Sequence, residues 1–385
     1  MSANEHKNKK ILMIAATPFF SDRGCHIRIY NEIKYLKKEG VDVTLCTYHL
    51  GKNIEDFEIN RIPNVSWYKK ITPGASWGKI YLDFLLLKLS SKEYLKNKPE
   101  IIHAHLYEGL FIAWLVKVLN FSKVKIIFDC QGSLAEEMYT YTLHKSIFLK
   151  PFYYFFMLIE KLLLYMPDKI FCSSKNSYDF LVSKYKISKN KIDIINDGID
   201  TDLFNNLSYN RDIVKAELNV PIRNTVILYT GSISKAKGVK ELLDAVPKII
   251  EKRKDISFVF AGYGDLEDEY KEKLKEYIKS KNIIFIGRFS YFELPKYTII
   301  ADYAIDPKKD SSESSGKLLN YIGAGLPVIC FKNEFNAGLL DEDGLYINDF
   351  SDIVDIHETK IKMQKNSLKL SWGEIIKKLI KIYKC

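Results

Sequence analysis

The feature that narrows the fold most is a repeated alternation of short, continuously apolar runs with longer amphipathic segments. In the first half the runs are ILMIAA (11–16), VDVTLCTY (41–48), EIIHAH (100–105), KIIFDC (125–130), KIFCSS (169–174) and KIDIIN (191–196). Helical periodicity predicts helices between them near 25–39, 76–97, 107–119, 148–164 and 175–185. The pattern restarts with TVILYTG (225–231), ISFVFAG (256–262), NIIFIG (282–287), ADYAID (301–306) and LPVICF (326–331). Helices are expected there near 239–252, 265–279, 291–300, 316–324, 351–366 and 371–382. Strands apolar on both faces and separated by helices make parallel sheets covered on both sides. Two successive sets predict two Rossmann-like α/β domains. The seam is the Asn-, Asp- and Gly-rich NDGIDTDLFNN (196–206). The expected division is therefore 1–196 and 197–370, with a helix at about 371–385 packing back on the first domain. Ligands of open parallel sheets bind outside the carboxyl ends of the strands, so the expected site is the cleft between the domains.

Composition excludes the other broad classes. The 385 residues are 47% hydrophobic and 28% charged, which rules out disorder, a collagen and a disulfide mini-protein. The length exceeds the roughly 250–300 residues of a single core. Six scattered cysteines without a CxxC pair read as reduced thiols in a cytoplasmic protein and argue against a cysteine zinc site. The polar start, MSANEHKNKK, runs directly into the first strand, with too little apolar length for a signal peptide. The richest apolar stretch, Phe152 to Ile159, falls far below the roughly 20 residues of a membrane span. A soluble or membrane-surface protein is expected.

The net charge of +10 lies entirely in residues 1–195, which hold 29 Lys+Arg and 19 Asp+Glu; residues 196–385 hold 29 of each. A basic half suits lipid headgroups, a phosphorylated acceptor or nucleic acid, and a solvated lysine-rich surface has the same composition. The aromatic segment KPFYYFFMLIEKLLLYMP (150–167) in that half adds a membrane-surface expectation, against the alternative that it packs on the first sheet.

Several strand ends combine residues suited to anions. In YTGSISKAKGVKELLDA, Gly231 ends a strand and Lys237-Gly238 precede a helix, an arrangement that suits a diphosphate. In SSESSGKLLNYIGAGLPVI, Ser314, Ser315 and Gly316 stand where a helix begins, with Lys317 beside them. Gly262 and Gly264 in FAGYGD permit a tight turn, without a full GxGxxG. In the first half, Gly24 lies between Arg23 and Arg28 after the first strand. His103 and His105 share one face of a strand, but no third ligand has suitable spacing, so no metal site is expected. Asp129 and Gln131 end the next strand.

Together the pieces IIHAHLYEG, IINDGIDTDLF, YTGSISKAKGVKELLDA, FVFAGYG and KLLNYIGAGLPVI resemble, in order, the retaining glycosyltransferases of family 4, which have the GT-B fold. The resemblance implies sugar transfer from a nucleotide-diphosphate sugar, without a metal or other cofactor. The donor is then expected mainly on the second domain, and a glycan or lipid-linked acceptor mainly on the first. It implies that Gly24 meets the donor phosphates and that Lys237 binds the diphosphate. Ser232 stands where many members have an arginine. The family's paired glutamates fall on Ser312 or Glu313 and on Asn320, an amide that can still bond a ribose diol. Gly231, Gly262, Arg288 and the helix start at Ser314–Lys317 complete the donor set, and Arg23 and Arg28 are assigned to the acceptor. The usual first-domain histidine aligns with Gln131 or with Asp129, and His105 joins them as a catalytic candidate. Retention at the anomeric carbon is implied, with the leaving phosphate helping to deprotonate the acceptor. The expected setting is cytoplasmic, peripheral on the inner face of an anionic membrane, in cell-surface polysaccharide or glycolipid synthesis. The alternative is a non-catalytic GT-B protein that binds a nucleotide sugar or partners an active enzyme. Nucleic acid is not an expected partner, since no recognition element is present.

Overall fold

The computed structural model describes residues 9–71, 74, 76–141, 150–205, 209–309, 316–356 and 368–384. The chain divides into two compact units, Met1–Asn196 with Ile375–Cys385, and Asp197–Glu374.

The first unit runs β1 (Lys10–Ala15), α1 (Gly24–Lys38), β2 (Asp42–Thr47), β3 (Glu58–Arg61), α2 (Trp77–Asn97), β4 (Ile101–His105), α3 (Leu106–Leu119) and β5 (Lys125–Cys130). It continues with α4 (Leu134–Tyr141), α5 (Lys150–Tyr165), β6 (Lys169–Cys172), α6 (Lys175–Tyr185) and β7 (Ile192–Ile194). All strands are parallel, in the order β3-β2-β1-β4-β5-β6-β7. Strand alternation sends Leu12, Ile14, Ile102, Ala104, Ile126 and Phe128 into one core with Leu82, Leu86, Leu110 and Leu164 of α2, α3 and α5. The opposite face carries Met13, His103, His105 and Asp129 toward α1.

The second unit runs α7 (Thr201–Asn205), α8 (Arg211–Glu217), β8 (Thr225–Thr230), α9 (Val239–Lys252), β9 (Ile256–Ala261), α10 (Glu267–Lys273), α11 (Lys275–Lys279) and β10 (Ile283–Gly287). It continues with α12 (Leu294–Thr298), β11 (Tyr303–Asp306), α13 (Gly316–Gly323), β12 (Val328–Phe331), α14 (Glu334–Leu340), β13 (Leu345–Ile347) and the start of α15 (Trp372–Lys384). Its parallel sheet has the order β10-β9-β8-β11-β12-β13. Helix α9 forms because Val239, Leu242, Leu243, Val246, Ile249 and Ile250 recur at helical spacing. That stripe packs on Ile227, Tyr229, Phe258 and Phe260. Leu318, Leu319, Tyr321 and Ile322 of α13 cover the other face through Val226, Leu228 and Val328.

Sequence reading missed β3 and β13, edge strands of four and three residues that are too short to show a period of their own. The helix expected at 265–279 is broken at Leu274 into α10 and α11. Of the segment 351–366, Phe350–Asp355 form a 3-10 stretch, and 357–367 lie outside the described residues. In both sheets the strand order reverses beside the first strand, between β1 and β4 and between β8 and β11. Such switch points are where doubly wound sheets bind ligands.

Two loops at these points are tightly determined. His26 closes the β1–α1 loop: its Nδ1 accepts the Ser21 N–H at 3.0 Å, and its Nε2 lies 2.7 Å from Thr17 Oγ1. Burial, and then Arg23, hold its imidazole down at about 3. In the unfolded chain it takes its proton near pH 6.5, so the stability it contributes above that pH is lost as pH falls toward 3. Urea denaturation should show up to about 3 kcal/mol lost from this group between pH 7 and pH 4, with a shallower acid slope in His26→Gln. Equal slopes would remove His26 from the acid response. In the second unit, Gly262 has φ of 150°, and a Cβ there would sit 1.8 Å from the Gly231 carbonyl oxygen. Gly262→Ala should therefore cost about 3 kcal/mol and lower the thermal midpoint. An unchanged melt would show that the 231 loop yields freely.

Candidate active site

The second unit presents a lysine-rich surface at its switch point. After β8 the chain passes Gly231 and Ser232, makes a 3-10 turn at Lys235–Lys237, and enters α9 through Gly238. Gly238 has φ of 73°, and a Cβ there would lie 2.4 Å from the Pro307 carbonyl oxygen. Only glycine lets the β11 loop approach this closely. The two loops enclose a cavity of about 410 Å³ lined by Lys235, Ala236, Gly238, Glu241, Pro307, Lys308 and Lys309. Three of these side chains are lysines, at the mouth of a helix with no side-chain cap. Such a lining suits a ligand with several negative charges. From the other side, Gly264 lies where a Cβ would be 2.1 Å from the Ile233 carbonyl oxygen, which seats the β9 loop under the β8 loop.

The remaining donor candidates have distinct places. Gly231 and Ser232 are exposed, and the Ser232 carbonyl accepts the Tyr229 hydroxyl at 2.7 Å. Arg288 lies beyond β10, its guanidinium 3.6 Å over the Tyr263 ring. Tyr321 receives the Thr230 N–H at 2.8 Å and so fixes the end of β8. Asn320 is its half-buried neighbour on α13, and Gly316 opens that helix in the open. Lys317 departs from expectation: its Nζ lies 3.2 Å from Oδ1 of buried Asp306 and 4.6 Å over the Tyr229 ring. Its charge is directed inward, because Asp306 requires a cation there. Ser312, Glu313, Ser314 and Ser315 lie outside the described residues.

In the first unit a buried polar cluster underlies the ends of β4 and β5. Arg28 Nε lies 2.9 Å from Asp129 Oδ2 and 3.2 Å from Glu32 Oε1, and its terminal nitrogen donates to the Ile195 carbonyl at 3.0 Å. His105 Nδ1 lies 3.2 Å from Asp129 Oδ2. Gln131 donates to that same oxygen at 2.6 Å. The Tyr383 hydroxyl meets His103 Nδ1 at 2.8 Å. Nε2 of each histidine stands 3.7 Å from Glu32 Oε2. Burial alone would raise the Asp129 carboxyl; Arg28 and then His105 overcome it and hold Asp129 well below the usual carboxylate range. Burial keeps His103 neutral. Glu32, His103, His105 and Asp129 are residue types that hold metals, with ligand atoms within 4.8 Å of one another. Glu32 and Asp129 thus bring beside His103 and His105 the further ligand types that spacing in the sequence did not show, and Arg28 supplies one positive charge against the two carboxylates.

This geometry corrects three assignments. Arg28, expected at the acceptor, is 4% exposed and committed to Asp129, Glu32 and Ile195. Two positions beyond Gly24 α1 is already under cover, so residues adjacent in sequence to the exposed Gly24 need not share its surface. His105 and Asp129, expected to be catalytic, are fully buried, and both contact Gln131, the half-buried member of the three. Arg23 is half-buried at the N-cap of α1. Sequence reading missed Glu32, Lys235, Lys308, Lys309 and Tyr383. The i,i+4 spacing from Arg28 signalled Glu32, and the Lys308-Lys309 pair follows a recognised strand. Tyr383 carries no local signal, being 280 residues from His103.

Comparison with known proteins accounts for this arrangement. The model for Glycosyltransferase Family 4 matches residues 23–203, and that for Glycosyl transferases group 1 matches residues 210–374. The sulfoquinovosyl transferase SQD2 of Arabidopsis thaliana is 22% identical over 333 residues, covering 86% of this chain and 61% of the relative. The capsular polysaccharide biosynthesis glycosyltransferase CapM of Staphylococcus aureus is 22% identical over 263 residues, covering 67% of this chain and 64% of the relative. The chain thus spans about three fifths of the length of these relatives. HepE of Anabaena, solved in complex with UDP and glucose, superposes with a TM-score of 0.73 at 12% identity, covering 98% of this chain and 99% of that one. Two Rossmann-like units matched in order by these two models make the chain a member of the glycosyltransferases, family 4 in its first unit and group 1 in its second, with the GT-B fold.

Proposed function

We propose that the protein transfers a sugar from a nucleoside-diphosphate sugar to a glycan or lipid-linked acceptor, with retention at the anomeric carbon, in the synthesis of a cell-surface polysaccharide or glycolipid. The observation that carries this reading is the lysine-lined cavity at the β8/β11 switch point of a chain in this family. HepE's complex with UDP and glucose supports a nucleotide-sugar donor. In this reading the protein is cytoplasmic and works on the inner face of the membrane. No helix among the described residues is long and apolar enough to cross a membrane.

The chemistry follows from charge. Breaking the bond from the anomeric carbon to the phosphate oxygen builds negative charge on the departing diphosphate. Lys237, the lysines of the cavity and the N–H groups at the start of α9 stabilise that charge in place, so no metal enters the scheme. The new bond to the acceptor oxygen forms on the same face of the sugar. Gln131 is an amide and cannot act as a base or covalent nucleophile. The acceptor proton therefore passes to the departing phosphate oxygen, while Gln131, held by Asp129, orients a hydroxyl.

Lys237→Ala should lower turnover at saturating donor by about 100-fold or more, because preorganised charge at a leaving group typically contributes a few kcal/mol. An unchanged rate would remove Lys237 from the phosphate site. Asn320→Glu should tighten binding of the matching nucleoside diphosphate, since a carboxylate accepts ribose hydroxyls more strongly than an amide. Calorimetry decides, and markedly weaker binding would place Asn320 away from the ribose. The amides at Asn320 and Gln131 also motivate a second reading, a binding protein without turnover. Nucleotide-sugar binding without sugar release or transfer to any acceptor would establish it over the first.

A further inference from the structure

Helices α2, α3 and α5 lie side by side over one face of the first unit's sheet, with α3 in the middle. Their outer surfaces are apolar. On α2, Trp77, Ile80 and Phe84 recur at helical spacing and are 88%, 63% and 54% exposed. On α3, Phe111 is exposed, and Phe121 just beyond the helix is 97% exposed. On α5, Phe155, Leu158 and Leu162 form an outward row, each more than half exposed.

Helix α5 is inverted relative to an ordinary surface helix. Its one acidic residue, Glu160, points inward and is fully buried. There it accepts from the Tyr107, Ser133 and Tyr185 hydroxyls at 2.7, 2.8 and 2.9 Å and from the Ala135 N–H at 3.0 Å. The fold thus satisfies a carboxylate inside while leaving aromatic and aliphatic side chains in water. Neighbouring helices withdraw their acids as well. Asp83 is half-buried and accepts from Tyr48, Glu93 is buried, and Glu108 pairs with Lys79. Among the described residues of the three helices, the exposed charged side chains are all lysines, namely Lys88, Lys92, Lys96 and Lys161.

We infer that this three-helix face seats the first unit on an anionic lipid bilayer. Contiguous exposed apolar surface marks an interaction site, and its charge selects the partner. A second copy of the same face would bring lysines against lysines, with no exposed acidic residue among the described residues of these helices to pair them. An anionic bilayer answers both features: headgroups attract the lysines, and the interface takes up the aromatic and aliphatic side chains. The inference rests on the proposed membrane-side function for its purpose and on surface chemistry alone for its evidence.

Co-sedimentation with vesicles of phosphatidylcholine, with or without about 30% phosphatidylglycerol, tests it. The full-length protein should bind the anionic vesicles and retain part of that binding at high salt, with tryptophan emission shifted to the blue. Combined Phe155→Ser, Leu158→Ser and Leu162→Ser should weaken binding about tenfold or more. Combined Lys88→Gln, Lys92→Gln and Lys161→Gln should remove the preference for anionic vesicles. These side chains are exposed, so both variants should keep the wild-type thermal midpoint and nucleoside-diphosphate affinity. Absence of wild-type binding, or equal binding by wild type and the serine variant, would overturn the inference. A wild-type dimer dissolved by the serine changes, without vesicle binding, would overturn it too and give the face to a second copy. Vesicle binding without any nucleotide binding would instead sink the donor reading and leave the bilayer face standing.

Discussion

The first unit depends on one guanidinium. Arg28 lies between two fully buried carboxylates, and its third contact reaches the backbone of Ile195, one residue before the chain leaves this unit. Removing one partner from a buried ion pair typically costs about 3–5 kcal/mol, since a charge is left without compensation. Here the cost extends beyond stability. Asp129 stays ionised because Arg28 and His105 hold it so, and ionised Asp129 is what fixes the Gln131 amide. The orientation of the half-buried Gln131 amide is thus set by charges buried beneath it.

The second unit solves its problem with backbone rather than charge. Gly238, Gly262 and Gly264 stand where any Cβ would collide with a carbonyl oxygen. Three strand-end loops are therefore layered in close contact, and Lys235, Lys308 and Lys309 of the β8 and β11 loops line one cavity together with Glu241. Lys317 is placed differently, by its ion pair with buried Asp306.

How much was legible in the sequence follows from this contrast. Central strands were readable because burial on both faces makes them continuously apolar, as in β1, β4 and β9. Edge strands β3 and β13 and the short helices α4, α7, α8 and α14 were not, since elements of three to eight residues owe their form to neighbours rather than to their own periodicity. The Gly231–Gly238 loop was readable because its glycines and lysines act locally. Arg28 was misread because proximity in sequence to Gly24 says nothing about which side of α1 it occupies. The exposed row on α5 was visible as aromatic content, but its direction depended on Glu160, and three hydroxyls from distant elements decided that.

The hydrogen bond from Tyr383 to His103 carries a consequence for the order in which the molecule is made. The first unit is discontinuous: Met1–Asn196 is completed by Ile375–Cys385. During synthesis its seven strands emerge well before Tyr383, and until then the buried imidazole of His103 lacks its hydroxyl partner. The second unit, contiguous from Asp197 to Glu374, has no such wait. The half that begins first on the ribosome is therefore the half that finishes last, and a fragment ending at Asn196 would lack the hydroxyl that meets buried His103.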